Sequence, residues 1–155
     1  VSATAFCYSS ARVESLTDRL SHICSRNEEI DFLMIHTMGI DAHSHDHIQS
    51  IKSKVEALIV RACTLYPDTR IIMSGLPCNS RLPPALHWRS TELNNFVRHL
   101  CSKSAQLAYM DNTDLHLRRD NLHLTGRAKD ILAERVATKL KNATSPGPAN
   151  QRRPI

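Results

Sequence analysis

Long apolar runs are missing from this 155-residue chain. No stretch of about 18 apolar residues occurs, so no segment reads as a membrane-spanning helix. A basic stretch leading into an apolar core is also missing near the N-terminus, which argues against a signal peptide and for an intracellular, cytoplasmic protein. The five cysteines, Cys7, Cys24, Cys63, Cys78 and Cys101, are widely scattered and form no CxxC pair. That spacing excludes a zinc-ribbon pattern and makes a poor disulfide framework. Free, mostly buried thiols in a reducing compartment are expected instead. Aromatic residues are only 5% of the chain, with a single tryptophan, Trp88, which leaves few platforms for stacking nucleic-acid bases. The net charge of +5 is mild, and Arg118, Arg119, Lys139, Lys141, Arg152 and Arg153 are dispersed. A solvated surface is the better reading of these cations; the alternative is a weak, salt-sensitive nucleic-acid contact through the C-terminal face.

What is present is an ordinary globular composition, 41% hydrophobic and 23% charged, in a chain long enough to bury one core. Its elements alternate. Residues 3–8 read as a short strand. Val13, Leu16, Leu20 and Ile23 recur at helical spacing. Residues 30–36 form a compact apolar run, the pattern of a strand buried on both faces. Ile51, Val55, Leu58, Ile59 and Ala62 make one helix stripe. Arg70–Ser74 is another short strand, closed by Gly75. Residues 76–89, with Pro77, Pro83 and Pro84, are expected to be irregular. A third helix carries Leu93, Phe96, Val97 and Leu100, with Ser90 or Thr91 as cap. Leu107–Met110 is the last strand, and Ala128, Ile131, Leu132, Val136 and Leu140 mark the last helix. Residues 1–142 then form the folded domain, and residues 143–155 read as a disordered tail. This βαβα order predicts an α/β fold: a mainly parallel sheet with helices on both faces, a three-layer α/β/α sandwich.

In such sheets ligands bind past the carboxyl ends of the strands. Five polar stretches fall there: Ser9-Ser10, His36 to Asp41, Ser74-Gly75, Asp111-Asn112, and the loop holding Asp120 and His123. An aspartate three residues before a histidine on a turn can hydrogen-bond the imidazole, fix its tautomer and stabilise its cation. By spacing alone, a merely local role for Asp120 is the more common outcome. His43, His45 and His47 are weak candidates for a metal site, but the stretch reads as a surface loop, so no metal and no cofactor is expected. Ser9, Ser10 and Ser74 each follow an expected strand and are the candidate nucleophiles.

The block Asp120-Asn121-Leu122-His123-Leu124, with Gly126 beyond it, resembles the last motif of the SGNH/GDSL hydrolase superfamily, roughly Asp-Gly-Leu-His-Leu. The closest resemblance is to the esterase-like domains of vertebrate retrotransposon-derived open reading frames. Ile71-Ile-Met-Ser-Gly-Leu-Pro77 resembles that family's Ser-Gly-x-x-Pro strand, and Glu92-Leu-Asn94 with Phe96 resembles its Leu-Asn-x-x-Leu helix. Ile35-His-Thr-Met-Gly-Ile-Asp41 falls where the family has His-Val-Gly-Thr-Asn-Asp. Phe6-Cys-Tyr-Ser-Ser-Ala-Arg-Val13 falls where it has Pro-Gly-Ala-Arg-Val. The resemblance spans roughly residues 3–140. It implies a flavodoxin-like sheet and a carboxylic-ester hydrolase with a small ester as substrate, His123 as general base and Asp120 as its partner.

Departures from the family pattern change the expected activity. The Gly-Asp-Ser block that carries the family's nucleophile does not occur in the sequence. The chain opens at Val1, at what resembles the family's second strand, so it reads as truncated at the N-terminus. The two oxyanion-hole positions are degenerate: the glycine falls on Ser10, and the asparagine falls on Ile40, which has no side-chain donor. Losing one such donor costs on the order of 100–1,000-fold in rate. The chain is therefore expected to be weak or inactive as an esterase. The alternative is a non-catalytic, hydrolase-like interaction module or a retroelement-derived remnant. Without a first strand, the strand at 3–8 would have to pair directly with the one at 30–36, or a segment upstream would have to fill the gap. The oligomeric state is not legible in the sequence.

Overall fold

The apolar stripes and runs become helices and strands in the computed structural model, which describes residues 11–24 and 29–144. The elements are α1 (Val13–Cys24), β1 (Phe32–His36), α2 (Gly39–His43), α3 (Ile48–Leu65), β2 (Arg70–Ser74), α4 (Pro84–Ser102), β3 (Leu107–Met110) and α5 (Gly126–Thr144). The expected strand at residues 3–8 and most of the expected tail lie outside the described residues.

Among the described residues, three parallel strands form the sheet in the order β1-β2-β3. Met34 lies opposite Ile72 on one side of β2, and Ile72 lies opposite Ala108 on the other. Alternation along each strand divides the side chains between two faces. Ile35, Ile71 and Met73 are buried in the main core, together with Leu20 of α1, Ile51, Val55, Leu58 and Ala62 of α3, and Leu93 and Val97 of α4. Phe32, Ile72, Ala108 and Met110 turn to the other face. There they line an open groove of about 770 Å³ bordered by Ile131, Arg135 and Thr138 of α5. Helices thus cover both faces of a parallel sheet, the α/β/α sandwich expected from the alternating pattern.

Three local expectations need correction. Helix α4 starts at Pro84, inside the stretch expected to be irregular, with Pro83 at the cap position. Proline suits the first helical position because its fixed φ is already helical and no N–H is needed there. Ser90 and Thr91 are therefore helix interior rather than caps: Ser90 is buried, and the Thr91 hydroxyl donates back to the His87 carbonyl at 2.8 Å. Finally, β1 is not buried on both faces. Its residues are half-buried apart from Ile35, and His36 is exposed, because β1 ends the described sheet and has a partner on one side only.

Several loops are tied down by buried polar groups. The Asn94 side chain closes on Leu76, accepting its N–H at 2.7 Å and donating to its carbonyl at 2.9 Å. Arg89 of α4 reaches across to α2, donating Nε to the Ala42 carbonyl and Nη2 to the carbonyls of Asp41 and Asp46. Asp41 in turn accepts the N–H of Val13, the first residue of α1, at 3.1 Å, satisfying a helix donor that has no partner within its own helix.

Candidate active site

The loop between β3 and α5 folds back on itself before the last helix starts. Arg118 N–H donates to the His123 carbonyl at 2.7 Å and Thr125 N–H to the His116 carbonyl at 3.1 Å. At the turn, Asn121 takes φ of 55°. Asparagine tolerates this left-handed conformation better than most residues, which explains why it can stand where the resembling motif has glycine.

Asp120 organises this turn. One carboxylate oxygen, Oδ1, accepts the N–H groups of Leu122 at 2.9 Å and His123 at 3.0 Å. The other, Oδ2, lies 2.6 Å from His123 Nδ1. The same carboxylate therefore fixes the backbone and the ring of His123. Foremost the hydrogen bond to the His123 ring, and then the two backbone donors, hold the Asp120 carboxyl well below the usual carboxylate range. With Asp120 ionised, Nδ1 of His123 is the donor and Nε2 is left to accept a proton. Nε2 has no hydrogen-bond partner among the described residues, and the side chain is 66% exposed. Chemically, this is an oriented base open to solvent.

The β1–α2 segment lies against the same turn. His43 donates Nε2–H to the Asn121 carbonyl at 2.7 Å, and a methyl placed on Gly39 would come within 3.3 Å of Leu122 Cδ1. Met38 begins this segment with φ of 80° and a buried side chain. The resembling motif has its glycine at this place, so a methionine here holds a conformation that ordinarily favours glycine. Ile40 sits half-buried in α2 and offers no side-chain donor. Ser10 lies outside the described residues.

The three histidines considered for a metal are not brought together. His43 is engaged with Asn121, and His47 accepts the Gln49 N–H at the start of α3. No cluster of three or more metal-ligating side chains exists among the described residues. Ser74, a candidate nucleophile, is fully buried, and its hydroxyl is already committed, 2.8 Å from His36 Nδ1 and 2.8 Å from the Asn112 amide nitrogen. Burial removes water from part of the His36 ring and lowers its pKa below 6.5. His36 and Ser74 end β1 and β2, and Asn112 lies two residues past the end of β3. The polar stretches after the strands were legible in the sequence; the hydrogen bonds linking them depend on strand register, which was not. Arg135, which binds Asn112 from α5, had no sequence signal at all.

The described residues form a parallel sheet with helices on both faces, an α/β/α architecture, with an Asp–His pair on the turn before the last helix. No family model and no curated protein sequence matches the chain. Among solved structures, it is similar to an acetyl esterase serine-to-alanine mutant with an acetate ion, with a TM-score of 0.62 and 15% identity over 85% of this chain and 67% of that one. It is also similar to a carbohydrate esterase family 3 protein from Talaromyces cellulolyticus, with a TM-score of 0.61 and 14% identity over 88% and 70% of the two chains. A Clostridium thermocellum family 3 carbohydrate esterase gives a TM-score of 0.60 and 12% identity over 86% and 67%. Identities this low speak for the fold alone. Among the described residues, no helix is long and apolar enough to cross a membrane.

Proposed function

We propose that this chain is the base-bearing part of an ester hydrolase of SGNH type, with His123 as general base and Asp120 as the group that orients it. The observation that carries this reading is the 2.6 Å contact between His123 Nδ1 and Asp120 Oδ2, which leaves Nε2 open on a turn at the carboxyl side of the sheet. An acyl-enzyme needs a serine within reach of that nitrogen. None of the described serines makes a hydrogen bond to His123, and Ser74 is both buried and engaged elsewhere. With no described serine in reach, the pair activates water on small acyl esters such as acetates, slowly. No cofactor enters this chemistry.

A second reading, a hydrolase-like scaffold that binds without turnover, is favoured by Ile40, which supplies no side-chain donor for a developing oxyanion. Hydrolysis of p-nitrophenyl acetate by the wild-type chain beside His123→Ala separates the two. General-base action predicts a rate at least fivefold above the variant's. Equal rates would favour the scaffold.

A further inference from the structure

A chain of side-chain hydrogen bonds crosses the carboxyl ends of all three strands, and its directions can be assigned. Arg135 can only donate, and its Nη1 lies 3.1 Å from Asn112 Oδ1. The other end of that amide, Nδ2, faces the Gly75 carbonyl at 3.3 Å, which can only accept. Both contacts orient the Asn112 amide the same way, so its nitrogen donates to Ser74 Oγ at 2.8 Å. The Ser74 hydroxyl then has its own proton to place. Its remaining partner is His36 Nδ1, at 2.8 Å. If Nδ1 accepts that proton, a neutral His36 must carry its hydrogen on Nε2. His36 Nε2 has no partner among the described residues, and the residue is exposed while Ser74 and Asn112 are buried.

We propose that the relay Arg135–Asn112–Ser74–His36 fixes His36 as a neutral Nε2–H donor at the end of β1, where it receives an oxygen of the ligand, the carbonyl of an acyl ester or the carboxylate of the released acid. Ile40, the position expected to supply a side-chain donor, has none, and His36 lies on the same β1–α2 segment, four residues earlier. Desolvation lowers the pKa of His36, which favours the neutral ring that donates through Nε2–H over the cation. The tautomer follows from geometry alone; the identity of the ligand rests on the ester-hydrolase reading.

The test is long-range ¹H–¹⁵N NMR of the histidine rings of the full chain, alone and titrated with sodium acetate. His36 is expected as the Nε2–H tautomer in the wild type and as a mixture of tautomers in Ser74→Ala. Arg135→Gln, at a more exposed position, serves if the buried substitution prevents folding; it removes one of the two contacts that orient the Asn112 amide and should raise the Nδ1–H population. A wild-type Nδ1–H tautomer would overturn the relay. Acetate should shift the His36 Nε2 signal saturably. His36→Ala should weaken acetate binding, followed at His123, about 10-fold, the usual effect of losing one hydrogen bond to a charged group. No shift at His36, or unchanged binding in the variant, would overturn the ligand assignment. Acetate held by His36 together with ester turnover indifferent to His123 would sink the hydrolase reading while leaving this site standing.

Discussion

Replacing Asn94 by leucine removes a clamp whose cost can be worked from its geometry. The Asn94 side chain is 2% exposed. It makes two hydrogen bonds to one backbone unit, the N–H of Leu76 at 2.7 Å and the carbonyl of Leu76 at 2.9 Å. Leu76 is itself 5% exposed, so neither backbone group can turn to water without moving the loop that leaves β2. Leaving a buried donor or acceptor unmet costs about 1–3 kcal/mol. Two such groups, with partial relaxation of the loop, give about 3–4 kcal/mol for Asn94→Leu. For a chain of this length that corresponds to a fall in Tm of roughly 10 °C. Urea denaturation monitored by circular dichroism measures it as a lower midpoint at unchanged slope. Asn94→Asp separates the two bonds, because it keeps the acceptor for the Leu76 N–H but faces the Leu76 carbonyl with a second acceptor; it too should destabilise. A loss below about 1 kcal/mol for Asn94→Leu would refute the reasoning, since the loop would then satisfy its backbone without the clamp.

Other substitutions probe neighbouring features. Asn121→Gly should leave stability unchanged or slightly raised, whereas Asn121→Val should cost about 1–2 kcal/mol in thermal unfolding, because a β-branched side chain opposes the left-handed backbone at that residue. Gly75→Ala should lower Tm, since the added methyl would overlap the Tyr109 hydroxyl and lie 2.7 Å from its Cζ; overpacking of this kind costs about 1–3 kcal/mol. Asp41→Ala should cost about 1–2 kcal/mol through loss of the acceptor for the first N–H of α1, measured by chemical denaturation. Asp120 should titrate well below 3.9 in carboxyl ¹³C NMR. Its folded pKa is depressed, so what it contributes to the turn is fully present above the ordinary carboxylate range and is lost as pH falls through the depressed value. A midpoint near 4 would contradict the pairing with His123.

Helix stripes were the most legible part of the sequence. Ile51, Val55, Leu58, Ile59 and Ala62 repeat at helical spacing and all lie buried on one side of α3. Strand positions were legible as apolar runs, but burial was not. The run at 30–36 has the composition of a central strand, yet β1 has a single neighbour in the described sheet and exposes His36. Proline spacing misled at the start of α4, because a residue that breaks a helix interior is well suited to its first turn. At the candidate site, Asp120 and His123 stood out because their contact is local, only three residues apart. The Arg135–Asn112–Ser74–His36 chain did not, since it joins residues up to 38 positions apart within a single hydrogen bond. Such contacts arise from strand order and register, which periodicity does not encode.

Ester turnover followed together with intact protein mass offers the most direct measurement of whether Asp120 and His123 form a working base that acts on water. With p-nitrophenyl acetate, the wild type should release product slowly and linearly, at a rate at least fivefold above that of His123→Ala, and no acetylated serine should appear in the mass spectrum or its peptide map. A rate indifferent to His123, or a stoichiometric burst with an acetyl group on a serine of this chain, would contradict it.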